Sequence, residues 1–125
     1  MTTSELQAFS ADIPSEPLES WPLEPSQILD GEPEASGRLL WKSRDGTLAA
    51  GIWRCTPGSF TWDHVDETLV VIEGSATVER EDGGGTIELR PGIVVFFPEG
   101  LRTRWRVHET VRKGFHLHSA QPLQL

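Results

Sequence analysis

The sequence contains a single cysteine, Cys55, in 125 residues, and no tyrosine. One cysteine excludes an intrachain disulfide and is typical of a protein in a reducing compartment. No stretch approaches the roughly 20 consecutive apolar residues that a membrane-spanning helix needs. The first residues also lack a basic stretch followed by an apolar one, so no secretory signal is recognised. We therefore expect a cytoplasmic protein that does not insert into a membrane.

Basic residues are missing from the N-terminal part of the chain. Residues 1–36 contain eight acidic residues and no lysine or arginine, whereas residues 37–125 contain 11 acidic and 11 basic residues. The net charge of −8 therefore belongs to the first segment. Because binding to nucleic acid requires a net basic surface that neutralises phosphates, this distribution argues against a nucleic-acid partner.

From Gly37 onward, short strands separated by turn signals are expected. The runs of β-branched and aromatic residues are bounded by glycine, proline and Asp-Gly pairs, and none has a helical period. Nine strands are predicted, near Arg38–Ser43, Leu48–Thr56, Phe60–Trp62, Thr68–Glu73, Ala76–Arg80, Thr86–Leu89, Val94–Phe97, Arg102–Val107 and Val111–His118. This pattern predicts an all-β jelly-roll barrel, a double-stranded β-helix, formed by residues 37–125.

Residues 1–36 are predicted to form an extended, proline-rich acidic arm. Five of the nine prolines lie in residues 1–37, and each restricts the preceding residue to extended backbone. Apolar side chains nevertheless recur in the arm at Leu18, Trp21, Leu23, Ile28 and Leu29. We expect about the first dozen residues to be loose and the part from about Trp21 onward to be ordered on the barrel.

Alternation along the strand near residues 102–107 assigns its two faces. One face carries the basic side chains Arg102, Arg104, Arg106 and His108, and the other carries Thr103, Trp105 and Val107. Burying three unpaired guanidinium groups is prohibitive, so the basic face is predicted to point outward and the other face into the barrel. The acidic stretch Glu24–Glu34 of the arm is expected to lie across this basic surface, with Arg112 and Lys113 just beyond it, on its own or the neighbouring subunit. Its apolar side chains are expected to supply most of the attachment.

Residues 91–113 carry a recognisable motif. They read PGIVVFFPEGLRTRWRVHETVRK and contain the pattern Gly-x5-Pro-x-Gly at Gly92, Pro98 and Gly100. This spacing resembles the second of the two motifs that define the cupin superfamily.

Residues 58–74, GSFTWDHVDETLVVIEG, contain the Glu-x6-Gly end of the first cupin motif at Glu67 and Gly74. With the phrases WRCTPGSF and WRVHETVRK, the chain resembles the small cupins that include ureidoglycine aminohydrolase-like and ethanolamine-utilisation-like proteins. The resemblance implies a single cupin barrel. Because small cupins commonly pair, it also implies a homodimer.

Metal-binding cupins use three histidines and one glutamate, and this chain departs from that set. None of residues 60–63 is a histidine where the first motif would supply two, and Thr103 stands where the second motif would supply the third. Glu67 is retained, and His64 lies three residues before it. A metal, if bound, is therefore predicted at His64 and Glu67, as weakly held Mn, Fe, Ni or Zn; the alternative is that no cofactor is bound.

Three further reactive side chains lie outside these motifs. His116 and His118 share one strand face near the C-terminus, and we interpret them as a surface pair. Cys55 has no motif histidine to activate it and is predicted to be a small core residue.

Five tryptophans in so small a chain indicate an aromatic interior. Trp53, Trp62 and Trp105 fall on the strands that line a cupin cavity, where Glu67 and Thr103 supply polar groups. A small-ligand site needs an apolar pocket with a few convergent polar groups. We therefore predict a ligand pocket formed by these five residues.

Three functions are consistent with these features. The first is binding of a small polar metabolite in the aromatic-lined barrel. The second is a divalent-metal-dependent enzyme that resembles the aminohydrolase branch and acts on a ureido or amino-acid substrate, although the missing histidines weigh against it. The third is a dimeric structural or interaction module whose acidic arm recruits a partner. The aromatic interior favours the first, but fold alone does not fix function.

Overall fold

Short runs of β-branched and aromatic residues form nine strands in the computed structural model, which describes residues 8–125. The strands are β1 Glu19–Ser20, β2 Ile28–Asp30, β3 Ala35–Lys42, β4 Leu48–Cys55, β5 Gly58–Asp63, β6 Asp66–Arg80, β7 Gly85–Leu89, β8 Val94–Phe97 and β9 Arg102–His118. A 3-10 helix, Pro25–Gln27, precedes β2. Residues 8–125 contain no α-helix, and no helix among them is long and apolar enough to cross a membrane.

β6 and β9 each continue through a position where the sequence predicts a break between two strands. β6 runs for 15 residues and β9 for 17, and the two pair with each other along nearly their whole length. The register shifts between Val71 and Ala76, where both strands bend. The prediction of separate strands is wrong at these two places, because pairing between β6 and β9 continues on both sides of the bend.

The bend lets β6 and β9 contribute to both sheets of the barrel. One sheet has the order β1-β3-β4-β9-β6-β8 and uses the second half of β9 with the first half of β6. The other has the order β2-β5-β9-β6-β7 and uses the remaining halves. The sequence prediction of an all-β jelly-roll barrel is confirmed.

The side-chain directions predicted for the first half of β9 are also confirmed. Thr103, Trp105 and Val107 are buried, whereas the arginines between them are exposed. The arginines pair with acids of the neighbouring strands: Arg102 with Asp63 and Glu81, and Arg104 with Glu79. Within one chain this corrects the expectation that acids of the stretch Glu24–Glu34 cover the arginine face, since Asp63, Glu79 and Glu81 supply those acids. Coverage by the arm of the neighbouring subunit stays a prediction.

The arm is attached to the barrel by strand pairing and by side-chain hydrogen bonds. β1 pairs with β3, β2 pairs with β5, and the Gln27 amide donates to the carbonyl oxygen of Thr61 at 3.0 Å. Arg112 donates to the carbonyl oxygens of Ile13 and Glu16, at 2.6 and 2.7 Å. The ordering of the arm therefore begins before Trp21.

Apolar side chains of the arm add to this attachment. Leu23 is buried in the core, and Trp21 packs against the core from outside. The ring centroids of Trp21 and Phe115 are 6.4 Å apart. The predicted division of the chain at residue 37 stays a prediction, although β3 already begins at Ala35. The looseness predicted for about the first dozen residues falls in large part on residues 1–7, outside the described residues.

The remaining reactive side chains lie where the sequence suggests. Cys55 is fully buried, and burial raises the pKa of its thiol to about 12, so it is an unreactive core residue. His116 and His118 are exposed, and Nδ1 of His118 lies 3.4 Å from a carboxylate oxygen of Asp66. The interpretation of the two histidines as a surface pair is confirmed.

Replacement of Gly74 by alanine is expected to destabilise the fold strongly. Gly74 has a φ of +82° at the bend of β6, and a Cβ there would overlap the carbonyl oxygen of Thr110 in β9. The left-handed backbone alone costs about 1–3 kcal/mol for a residue with a side chain, and displacement of β9 adds to it. Urea unfolding should therefore show a lowered midpoint for Gly74→Ala.

Gly83→Ala is the matched control for this substitution. Gly83 has a φ of +84°, but nothing lies within 4 Å of a Cβ built on it. It should lose only the conformational part of the stability. Equal losses of stability in the two variants would show that the close approach of β6 and β9 at Gly74 is unimportant.

Candidate ligand-binding site

A cavity of about 780 Å³ opens into the barrel between the arm, the strands and the C-terminal residues. Its volume lies in the range of roughly 300–1,000 Å³ that is usual for small-molecule pockets. It is lined by residues 19–24, Gln27, Leu39, Trp53, Trp62, Val65, Glu67, Lys113, Phe115, Leu117 and residues 123–125. Most of these side chains are apolar, and the two buried charged side chains among them are Glu67 and Lys113.

Glu67 and Lys113 form an ion pair at the inner end of the cavity. Glu67 is the second residue of β6, and Lys113 lies on the inward face of β9 directly across from Trp53 of β4. Only 4% of Glu67 and 6% of Lys113 is exposed. Nζ of Lys113 donates to Oε2 of Glu67 at 2.5 Å, and charge-assisted hydrogen bonds of this kind are shorter and stronger than those between neutral groups.

Three aromatic rings surround the ammonium group of Lys113. Nζ lies 4.7 Å from the ring centroid of Trp53, 5.1 Å from that of Trp105 and 6.0 Å from that of Phe115. The negative faces of such rings attract a cation within about 6 Å. The ammonium is therefore stabilised by a carboxylate on one side and by aromatic rings on the others.

His64 lies on the other side of Glu67. Its ring stacks on Phe97 with centroids 4.3 Å apart, and its Nε2 lies 2.8 Å from Oγ1 of Thr103. The same hydroxyl oxygen accepts a hydrogen bond from the indole of Trp105 at 3.1 Å, and the hydroxyl donates to the carbonyl oxygen of Trp62 at 3.4 Å.

Nδ1 of His64 and Oε1 of Glu67 are 3.4 Å apart, which makes an electrostatic contact rather than a hydrogen bond. Within residues 8–125 this buried nitrogen forms no hydrogen bond. Burial raises the pKa of Glu67, but the Lys113 ammonium and the His64 ring outweigh it, and the pKa falls from 4.5 to about 2. Glu67 is therefore a carboxylate at neutral pH.

The predicted pocket residues occupy two layers. Trp53, Trp62 and Glu67 border the cavity, whereas Thr103 and Trp105 lie beneath it, where Trp105 contacts the Lys113 ammonium. Thr103 is completely buried and links His64 to Trp105. That a ligand binds to these five residues stays a prediction.

Lys113 is the site residue that the sequence analysis leaves out. The inward positions of the first half of β9, Thr103, Trp105 and Val107, are followed by Val111, Lys113 and Phe115 at the same period of two. Extending the alternation past Glu109 would have placed Lys113 inside the barrel. A buried lysine needs a counter-charge, and Glu67 is the acid that the cupin motif supplies.

The residues at this position do not fit a metal ion. Among the residues that the structure describes, no group of three or more His, Cys, Asp or Glu side chains is arranged to hold one. His64 and Glu67 offer two ligand types that metals accept, but the third neighbour is the Lys113 ammonium, which has no lone pair and repels a cation. Binding of Mn, Fe, Ni or Zn at His64 and Glu67, even weakly, would require Lys113 to leave the carboxylate.

Removal of one partner of the Lys113–Glu67 pair should cost much more stability than removal of both. Lys113→Met leaves a buried carboxylate without a counter-charge, a loss of about 3–5 kcal/mol, whereas a buried pair replaced by apolar residues is often nearly neutral. Urea unfolding should show Lys113→Met far below the wild type and Glu67→Leu/Lys113→Met above the single variant.

The exposed pair of Arg104 and Glu79, whose side chains are 52% and 50% exposed, provides the control. Arg104→Met should cost only about 0–1 kcal/mol because solvent already screens the pair. Similar losses for Lys113→Met and Arg104→Met would contradict the assignment of a desolvated pair.

Comparison with solved structures finds clear relatives. The chain is similar to a protein of unknown function of the DUF861 family from Pseudomonas syringae pv. tomato, with 26% identity and a TM-score of 0.73 over 82% of this chain. The match covers 44% of that protein, so the chain spans less than half of its length. A comparison with curated proteins finds no match.

Two further structures carry the description EutQ. A proposed ethanolamine utilization protein Q from Salmonella typhimurium has 28% identity and a TM-score of 0.61, and the match covers 70% of this chain and 72% of that one. The EutQ protein of Clostridium difficile shares the fold, with 19% identity and a TM-score of 0.70 over 95% of this chain and 91% of that one. The sequence profile described as the EutQ-like cupin domain matches residues 42–115, more than half of the chain, and the chain therefore belongs to the EutQ-like cupin family.

Proposed function

We propose that this cupin binds a small molecule with an apolar body and one polar head group, without a metal ion. The observation that carries the proposal is the Lys113–Glu67 pair at the inner end of a largely apolar cavity of about 780 Å³. Pockets of this kind combine apolar walls that supply affinity with a few polar groups that fix orientation.

The walls of the cavity suit the body of such a ligand. Trp53, Trp62, Leu39 and Leu117 line it, and burial of apolar surface against them contributes roughly 25 cal/mol per Å². The indole rings also offer flat faces for stacking. An aromatic or branched aliphatic group would therefore be held without any charge of its own.

The pair at the inner end suits a neutral head group. Lys113 presents a donor and Glu67 an acceptor only 2.5 Å apart, so a hydroxyl, amide or carbonyl group can bond to one or both. Because the two charges already balance, an anion or a cation arriving alone would leave an uncompensated charge inside the barrel. This favours uncharged polar heads over free carboxylates and amines.

The alternative of a metal-dependent, aminohydrolase-like enzyme has less support. Its ligand set would need Glu67, which holds the Lys113 ammonium. The name of the Salmonella relative refers to ethanolamine utilization, but a free amine would meet the like charge of Lys113 at the inner end of this cavity. We therefore do not extend a role in ethanolamine utilization to this chain. A cytoplasmic location also stays a prediction.

Blocking the cavity should abolish ligand binding. Leu117 lines the cavity and is partly buried, so Leu117→Trp would fill space that a ligand needs. The uncharged fluorescent probe N-phenyl-1-naphthylamine, which has an aromatic body and one polar N–H group, should bind the wild type and lose affinity by about tenfold or more in the variant, because apolar burial is lost. A fluorescence titration measures the change.

Leu29→Trp is the matched control for the cavity test. Leu29 is 54% exposed and lies outside the cavity lining, so its replacement should leave probe binding unchanged. Equal affinity of the probe for the wild type and Leu117→Trp would exclude this cavity as the binding site. Elemental analysis of untreated wild-type protein provides a separate check, and stoichiometric Mn, Fe, Ni or Zn would contradict the metal-free site.

We also propose that the chain forms a homodimer through the free backbone edge of β8 and the exposed apolar side chains beside it. Val94 and Phe96 of β8 and Val70 of β6 are exposed, and Val70 pairs with Val94 across the two strands. Within residues 8–125, β8 pairs with β6 alone, so its other backbone edge is free. Antiparallel pairing of this edge with that of a second copy would satisfy both edges around a two-fold axis.

Phe96→Asp should convert the dimer to a monomer. A charge in the proposed contact would have to be desolvated and would face its own copy across the axis. Light scattering at micromolar concentration should give twice 13.9 kDa for the wild type and 13.9 kDa for the variant. Phe9, with the same 56% exposure as Phe96 but in the arm, provides the control, and Phe9→Asp should remain a dimer. A monomeric wild type would overturn the proposal.

A further inference from the structure

We propose that Lys113 reacts with an aldehyde or ketone group of the ligand and forms an imine, with Glu67 as its counter-ion. The proposal rests on the proposed function, because the carbonyl compound would occupy the same cavity. It adds a covalent step and a ligand class, namely a small carbonyl compound with an apolar body.

The position of Lys113 favours its reaction with a bound ligand over that of the other lysine. The chain contains only two lysines, and Lys42 is exposed on β3 whereas Lys113 is 6% exposed and borders the cavity. A ligand whose apolar body packs against Trp53 and Phe115 would bring its head group to Nζ of Lys113. Holding the reacting atoms together in this way converts a slow bimolecular reaction into a fast local one.

The presence of lysine rather than arginine opposite Glu67 also favours a reaction with a carbonyl compound. The chain uses arginine at nine of its 11 basic positions, and arginine binds a carboxylate through two parallel hydrogen bonds. An arginine would serve a purely structural pair with Glu67 at least as well. A primary amine differs from a guanidinium in one respect that matters here, which is that it forms imines with carbonyl compounds.

Glu67 is placed to move the proton that the reaction requires. The ion pair is the resting form, and Oε2 lies 2.5 Å from Nζ. Transfer of one proton from the ammonium to Oε2 gives the less populated neutral pair, whose nitrogen lone pair attacks the carbonyl carbon. As the C–N bond forms, the C=O π bond breaks, and a proton passes from the nitrogen to the alkoxide oxygen to give a neutral carbinolamine. Glu67 then returns the proton to the carbinolamine hydroxyl, which leaves as water as the C=N bond forms. Ammonium and carbonyl compound thus become iminium and water, without any oxidant or reductant.

The charges of the site suit the product as well as the reactant. The ammonium and the iminium both carry one positive charge, so Glu67 and the rings of Trp53 and Trp105 stabilise both. The buried charge is therefore unchanged by the reaction, and no new desolvation cost arises. His64 faces the other oxygen of Glu67 at 3.4 Å and acts as a positioning residue for the carboxylate.

Reductive trapping tests the proposal. Wild-type protein is incubated with benzaldehyde and sodium cyanoborohydride at neutral pH, digested, and analysed by mass spectrometry for the benzyl group on each lysine. We expect labelling of Lys113 to exceed that of Lys42 by about tenfold or more, because only Lys113 binds the aldehyde before it reacts. In urea the preference should disappear. Labelling of Lys42 at an equal or higher rate in the folded protein would overturn the proposal.

Three variants and one compound separate the possible causes of the labelling. Lys113→Arg keeps the cation and should lose the adduct at residue 113, whereas Lys42→Arg should leave labelling of Lys113 unchanged. Glu67→Gln should slow the labelling, and equal labelling in this variant would contradict the role of Glu67. Benzyl alcohol, which has no carbonyl group, should displace the fluorescent probe without forming an adduct.

The same experiment separates this inference from the proposed function. If benzaldehyde displaces N-phenyl-1-naphthylamine from the wild type but Lys113 is not labelled, the cavity binds ligands and the imine is excluded. If the probe and benzaldehyde both fail to bind, the proposed function fails together with the inference. The ratio of labelling in the wild type decides the matter even where a variant does not fold.

Discussion

The buried ion pair of Lys113 and Glu67 is the constraint on which the rest of the site depends. Neither charge could remain alone in the barrel, because the interior does not solvate it. The pair requires β6 and β9 to hold their inward faces in fixed register, and it leaves the cavity electrically neutral at its inner end. The surrounding indoles and the stacked His64 follow from the same need, since they cover two charges with groups that tolerate them.

The strand pattern of the barrel could be predicted because it depends on local properties. Turn residues and the period of two locate the strands from β3 onward and assign the faces of Thr103 and Trp105, whereas β1 and β2 in the arm carry no such pattern. The continuity of β6 and β9 could not be predicted, since Gly74 has the local chemistry of a turn. Whether such a glycine ends a strand or bends it is decided by the partner strand, which continues to offer hydrogen bonds on both sides.

The candidate site was less accessible to sequence reasoning. Trp53, Trp62 and Glu67 were placed at the cavity because a motif or an aromatic pattern marked them. Lys113 carried no such mark, since a lysine is exposed in most proteins and its partner lies 46 residues away in the sequence. Its burial depends on the three-dimensional pairing that brings the two strands together. Charges that form part of a core are therefore the hardest site residues to predict.

The walls of the cavity show that the family match and the folded unit have different limits. Residues 42–115 match the family profile, yet the cavity is also bordered by residues 19–24 on one side and by residues 123–125 on the other. Trp21 covers Gly37 of β3, which leaves no room for any larger side chain there. A fragment cut at the limits of the match would thus lose two walls and expose Phe115 to water. The walls of this cavity therefore lie partly in segments outside the family match.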